Sequence, residues 1–241
     1  MIHSRHYQAL VARALAAATV IVLAFTCWLL WPEWKEYWAI RQFVHSLKSR
    51  PDDSANIEPM EALVRIGSPA VPELTRALRA EDSDTRRWAA FALGNIGSQA
   101  KEALPALVSA ADDESPRVRV MVARALCKIE ADQSLGISKL AEALEEEDEF
   151  TRYSAAAELR ELGPDAKAAV PSLVKLFVEG NAIDKQHAAF ALGAIGVEAK
   201  EAFPVLLDIW RDQDEDENVR QQVAEALKKI DPAAAIEAGV K

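Results

Sequence analysis

The chain has 241 residues, 28 Lys and Arg against 38 Asp and Glu, and a formal charge of −10. Residues 51–241 alone carry 22 basic against 36 acidic residues, a net −14, which argues against a nucleic-acid binder, because phosphate attraction needs clustered Lys and Arg, and against broad contact with anionic lipid. Only two cysteines, Cys27 and Cys127, are present, so no disulfide framework is possible.

The N-terminal segment stands apart. After a short stretch, 1–13, come 18 consecutive uncharged residues from Ala14 to Trp31. At 1.5 Å per residue they span about 27 Å, enough to cross a bilayer. Arg5 and Arg13 precede the run, while Glu33, Lys35 and Glu36 follow it, so the expectation is a signal-anchor helix with a cytoplasmic N-terminus and the rest of the chain outside the cytoplasm. A cleavable signal peptide is the rival. Against it, the run is long and lacks a small-x-small site at its C-terminal edge. Cys27 follows Ala24-Phe25-Thr26, too bulky for a lipoprotein box. Trp28, Trp31, Trp34 and Trp38, spaced 3, 3 and 4 apart, share one helical face and resemble an interfacial aromatic belt. Trp34 and Trp38 fit packing of the following helices equally well.

From Ile66 onward the chain repeats. A closing aliphatic falls at Ile66, Ile96, Ile129, Leu162, Ile195 and Ile230, in steps of 30, 33, 33, 33 and 35. Ten residues before the last five sit Arg86, Arg119, Arg152, Lys185 and Arg220. Pro72, Pro105, Pro171 and Pro204 keep the register, with Ser138 in the unit that lacks its proline. Such a period is the mark of a solenoid. Trp88-Ala-Ala-Phe-Ala-Leu-Gly-Asn-Ile96 recurs as His187-Ala-Ala-Phe-Ala-Leu-Gly-Ala-Ile195, an amphipathic helix whose paired alanines let neighbours approach closely. Gly97, Gly163 and Gly196 follow these helices where positive φ is wanted, with Glu130 and Asp231 elsewhere. The prolines are expected to bend the first helix of each unit. Acidic turns between the helices place carboxylates at the N-terminus of the second, where the dipole favours them.

Proline-bearing helix, acidic turn, basic residue and Ala-Ala-x-Ala-Leu-Gly together resemble the HEAT-repeat family, specifically its phycobilisome-lyase-like branch, over roughly residues 34–231. The resemblance implies an all-α, right-handed α-solenoid of about six helix pairs, preceded by the transmembrane helix and followed by a tail at 232–241. The pairs are roughly 34–67, 68–97, 98–130, 131–163, 164–196 and 197–231. It further implies that the second helices line the concave face and that the basic ladder bonds acidic turns of neighbouring units.

Catalytic chemistry is missing. His3, His6, His45 and His187 are too scattered for a metal cluster. There is no His-Glu dipeptide, phosphate loop, Gly-x-Ser-x-Gly or haem-attachment motif, so no cofactor, metal or catalytic residue is assigned. Cys127 takes the place of Gly94 and Gly193 and reads as packing. If the constant positions are structural, recognition falls to those that vary along the same helices. Arg87, Trp88, Phe91, Arg124, Tyr153 and Phe190 are the candidate partner-binding residues, with gap-filling as the alternative for Trp88, Phe91 and Phe190. Glu158 interrupts a column of Ala92, Ala125, Ala191 and Ala226 with no evident reason. The expected function is a membrane-anchored, non-enzymatic scaffold or adaptor that binds another protein. A bilin lyase or lyase accessory protein, implied by the branch alone, is the alternative.

Overall fold

A computed structural model describes residues 37–42, 44–47, 57–129 and 133–240. Every regular element among them is helical. Residues 37–42 and 44–46 (α1) and Ile57–Ile66 (α2) share a core through Ile40, Val44, Met60 and Leu63. Five further pairs follow: Val71–Ala77 (α3) with Ser83–Ile96 (α4), Leu104–Ala110 (α5) with Pro116–Ile129 (α6), Ser134–Ala143 (α7) with Glu149–Leu162 (α8), Val170–Glu179 (α9) with Ala182–Ile195 (α10), and Phe203–Arg211 (α11) with Glu217–Ile230 (α12). From α4 on, each second helix has 14 residues, so the sequence period reappears as a constant helix length. Residues 232–240, set apart above as a tail, include Pro232–Glu237 (α13), packed on α12 with Ala235 and Val240 buried.

The small residues of the period allow the stacking. Ala89, Ala90, Ala155, Ala156, Ala188 and Ala189 are buried. A side chain on Gly94 would lie 3.0 Å from Ala125 Cα, and one on Gly193 3.0 Å from Ala226 Cα. Helix α4 thus meets α6, and α10 meets α12, almost backbone to backbone, where many short dispersion contacts accumulate. Both helix ends follow from local chemistry. Gly97, Gly163 and Gly196 have φ of 68°, 58° and 67°, the positive φ expected of them, which glycine adopts without steric cost. Asp231 instead is extended, at φ −148°, and Glu130 lies outside the described residues. At the other end Asp82, Asp148, Asn181 and Asp216 accept first-turn N–H groups, each such cap contributing about 1 kcal/mol.

The prolines do not bend their helices. Each is the second residue of α3, α5, α9 or α11, directly after a 3-10 stretch at Ser68–Ala70, Gly97–Ala103, Gly163–Ala169 or Gly196–Ala202. A missing N–H does no harm in a first turn, where the donors have no helical partner. In the unit carrying Ser138 no 3-10 stretch leads into α7 among the described residues.

That unit also breaks the stacking. Helices α6 and α8 touch sparingly compared with α4–α6, α8–α10 and α10–α12, and α7 packs closely on α6 instead. Gly136 permits this, since a Cβ there would come within 2.3 Å of Cys127 Sγ and 2.7 Å of the Ala123 carbonyl oxygen. The buried side chains divide along α6: Val118, Val122, Ala125, Leu126 and Ile129 join the N-terminal core, while Val120, Ala123 and Cys127 join the C-terminal one. Cys127 is buried, in keeping with a packing role.

The expected localisation as a single-pass membrane protein with extracytoplasmic repeats is corrected, because among the described residues no helix is long and apolar enough to cross a membrane. Residues 14–31, with Trp28 and Trp31, and Trp34 beyond them lie outside the described residues. Trp38 is described and is 64% exposed.

Candidate functional site

The basic ladder joins consecutive units. Arg86 Nη1 donates to the Ala80 and Glu81 carbonyls of its own turn at 2.9 Å each, while its Nε and Nη2 donate to Asp113 of the next unit at 2.7 and 2.9 Å. Arg119 bonds the Asp113 carbonyl and the Glu146 carboxylate. Arg152 bonds the Glu146 and Glu147 carbonyls and both carboxylate oxygens of Asp184. Lys185 pairs with Glu215, and Arg220 bonds the Glu215 carbonyl at 3.3 Å. Hydrogen bonds to Asp113 and Asp184 hold the Arg86 and Arg152 guanidinium groups above their usual pKa. The ladder is therefore scaffolding, as the resemblance implied.

The variable positions form two clusters. In the first, Arg87 lies 4.9 Å over the Trp88 ring, Trp88 meets Phe91 edge-on at 5.6 Å, and Arg124 lies 4.4 Å over Phe91. Arg124 Nη2 donates to Asn95 Oδ1 at 3.0 Å, and its Nε pairs with Glu158 Oε1 at 2.9 Å. Asn95 Nδ2 in turn reaches Met60 Sδ at 3.9 Å, so the cluster runs from α2 through α4 and α6 to α8. Trp88 and Arg124 are buried and Phe91 half-buried, which fits the gap-filling alternative for Trp88.

Glu158 now has a reason. It faces the sparse α6–α8 junction, where an alanine would leave Arg124 without its carboxylate. Burial pushes the Glu158 carboxyl upward against the pull of Arg124. Burial, helped by Arg124, pushes the nearby Lys128 down.

The second cluster is exposed. Tyr153 and Phe190 are 42% and 40% exposed. Tyr153 meets His187 edge-on at 4.4 Å and lies 6.3 Å from Phe150, and Arg117 sits 4.7 Å over Phe150. Burial lowers the His187 pKa, with Arg160 adding to the effect. Phe190 makes no ring contact among the described residues. Phe150 and Arg117 were not among the sequence-derived candidates, although the column Asp84, Arg117, Phe150, Ile183 changes character at every step. A small cleft lined by Arg87, Arg117, Met121 and Phe150 connects the two clusters.

Among the described residues no group of three or more His, Cys, Asp or Glu could hold a metal ion. A cleft of about 920 Å³ lies away from both clusters, between α1, α3 and the turn before α4.

The chain is similar to several solved structures, and the first two share its fold. An engineered protein is 25% identical over 83% of this chain and 61% of its own, with a TM-score of 0.53. A Kap121p mutant is 15% identical over 78% of this chain and 23% of its own, with a TM-score of 0.54. A designed armadillo repeat protein is 20% identical over 80% of this chain and all of its own, with a TM-score of 0.49. No curated protein matches the chain. None of these likenesses distinguishes the phycobilisome-lyase-like branch. A family model described as HEAT repeats matches residues 40–115, 71–160, 104–192 and 170–238, and the chain belongs to the HEAT repeat family.

Proposed function

We propose that this chain is a non-enzymatic scaffold or adaptor that binds another protein along the face carried by its second helices. The observation behind this reading is the run of exposed aromatics on consecutive second helices: Phe150 and Tyr153 on α8 and Phe190 on α10, each at least 40% exposed. Large apolar side chains grouped at a surface favour a partner that covers them, and aromatic and arginine side chains are common interface anchors. The ladder arginines do not compete for that role, because their donors are taken by neighbouring units.

Replacing Phe150, Tyr153 and Phe190 together by alanine is expected to leave the helical content intact. Partner capture, measured by affinity purification of the full chain with quantitative mass spectrometry, should fall about tenfold or more. Equal capture by the variant would refute this face as the binding surface.

A further inference from the structure

The exposed α8–α10 cluster holds a group whose charge changes near neutral pH, the His187 imidazole. His187 and Phe190 are three residues apart on α10 and share a face, and the Tyr153 ring of α8 meets the imidazole edge-on at 4.4 Å. The imidazole thus adjoins two of the side chains that a docked protein would cover. It is half-buried. Its ring nitrogens make no hydrogen bond among the described residues, and neither is sealed from solvent, so water solvates them.

The charges around the ring offer it no counter-ion. Arg160 and Asp184 are the charged groups close enough to act on it. Asp184, on the same helix, gives its two oxygens to Arg152 and accepts the Asn181 N–H as well. From α8 comes a cation, Arg160, paired with Glu161 at 3.7 Å. On α12 the uncharged Gln221 and Gln222 align with Gln186 and His187, and Glu225, aligned with Phe190, bonds Lys228. Burial already lowers the His187 pKa, with Arg160 adding to the effect. A partner lying across Tyr153 and Phe190 would displace the remaining water and bury an imidazolium without a counter-ion, which is unfavourable.

Resting on the function proposed above, we infer that His187 makes docking on the α8–α10 face pH-dependent: the partner is held while the imidazole is neutral and released when it is protonated. The free chain takes up the proton more readily than the complex does. Binding is therefore full above the ordinary histidine value and weakens as pH falls through the lowered one. The same column holds Trp88, Met121, Ser154 and Gln222 in the other units, none of which titrates in this range, so the property belongs to this unit.

A random-peptide display library without histidine, selected on the full chain at about pH 7.5, supplies the probe. Asp and Glu in such peptides stay ionised down to about pH 5.5, so the response belongs to the chain. The Kd of an enriched peptide should rise about tenfold between these two pH values, whereas in His187→Gln the ratio should be about one. In the histidine proton NMR spectrum, the resonance absent from His187→Gln should titrate at lower pH with the peptide bound than without it. Circular dichroism at both pH values checks that the chain and its variants are folded. No pH response, a response that His187→Gln retains, or a His187 titration that the peptide leaves in place or moves upward overturns the switch. If such a peptide still loses binding in Phe150→Ala/Tyr153→Ala/Phe190→Ala, the scaffold reading survives without it. If no peptide is enriched, or the aromatic variant binds it equally, both fail.

Discussion

The α4–α6 interface and the α6–α8 junction are built from the same two columns of the repeat and come out differently. At the first, Gly94 faces Ala125 so closely that another carbon would need its neighbour to give by a few tenths of an ångström. At the second, the glycine's place is taken by Cys127 and the alanine's by Glu158. Cys127 meets Gly136 of α7 rather than the next second helix, so α8 stands off and the gap is bridged by the Arg124–Glu158 pair. One substitution per column converts a dry, close contact into a polar one, because the packed interior cannot deform gradually to absorb a side chain.

Gly136→Ala gives the largest expected effect. Its new methyl would strike a backbone carbonyl and a short side chain, and the loss should be about 3 kcal/mol. Gly94→Ala should lose only about 1 kcal/mol, since its contact is looser and alanine favours the helix. Chemical unfolding that ranked the two in the opposite order would break the comparison. Between these two falls Glu158→Ala, which restores the small column residue yet strands Arg124 and should destabilise by about 2 kcal/mol. The double change Arg124→Met with Glu158→Ala should return to within about 1 kcal/mol of the unaltered chain, as apolar replacements of buried ion pairs often do. A double variant no better than the single one would show that the pair does not act as a unit.

The smallest effect is in the pH dependence. Burial raises the Glu158 pKa, so its contribution is fully present below the ordinary glutamate value and is lost as pH rises through the raised one. Asp148 runs the other way. The Thr151 hydroxyl holds it below the ordinary aspartate value, so its contribution is present above that value and is lost as pH falls through the lowered one. In urea unfolding followed from acid to neutral pH, Glu158→Gln should flatten the curve on the neutral side and Asp148→Asn on the acid side.

The repeat positions made much of the fold legible: the helix pairs, the positive-φ glycines, the acidic caps and the ladder all follow from the 33-residue register. The prolines' place is not legible in the sequence, because a 3-10 stretch leaves no hydrophobic period and the helix after it appears to start too early. For the candidate site, the columns showed which residues share a face but not how deep they lie. Arg124 and Trp88 are buried because of what packs around them, and Gly136, which draws α7 onto α6, lies outside every column. Phe150 gives no signal in the sequence, because its column, Asp84, Arg117, Phe150 and Ile183, holds no recurring residue type.

The ladder bonds between units also have a direction, opposite to that of the surface pairs Lys139–Asp112 and Lys175–Glu145. In Arg86–Asp113, Arg119–Glu146, Arg152–Asp184 and Lys185–Glu215 the earlier unit always lends the cation and the later one the anion. The ladder is thus polar along its length. Trimming units from the C-terminal end would bare a cation whose guanidinium or ammonium stays hydrated at low cost, whereas trimming from the N-terminal end would bare a carboxylate beside other carboxylates of the same turn. Shortened versions of equal length are therefore unequal molecules, and those that keep the N-terminal units should be the sounder.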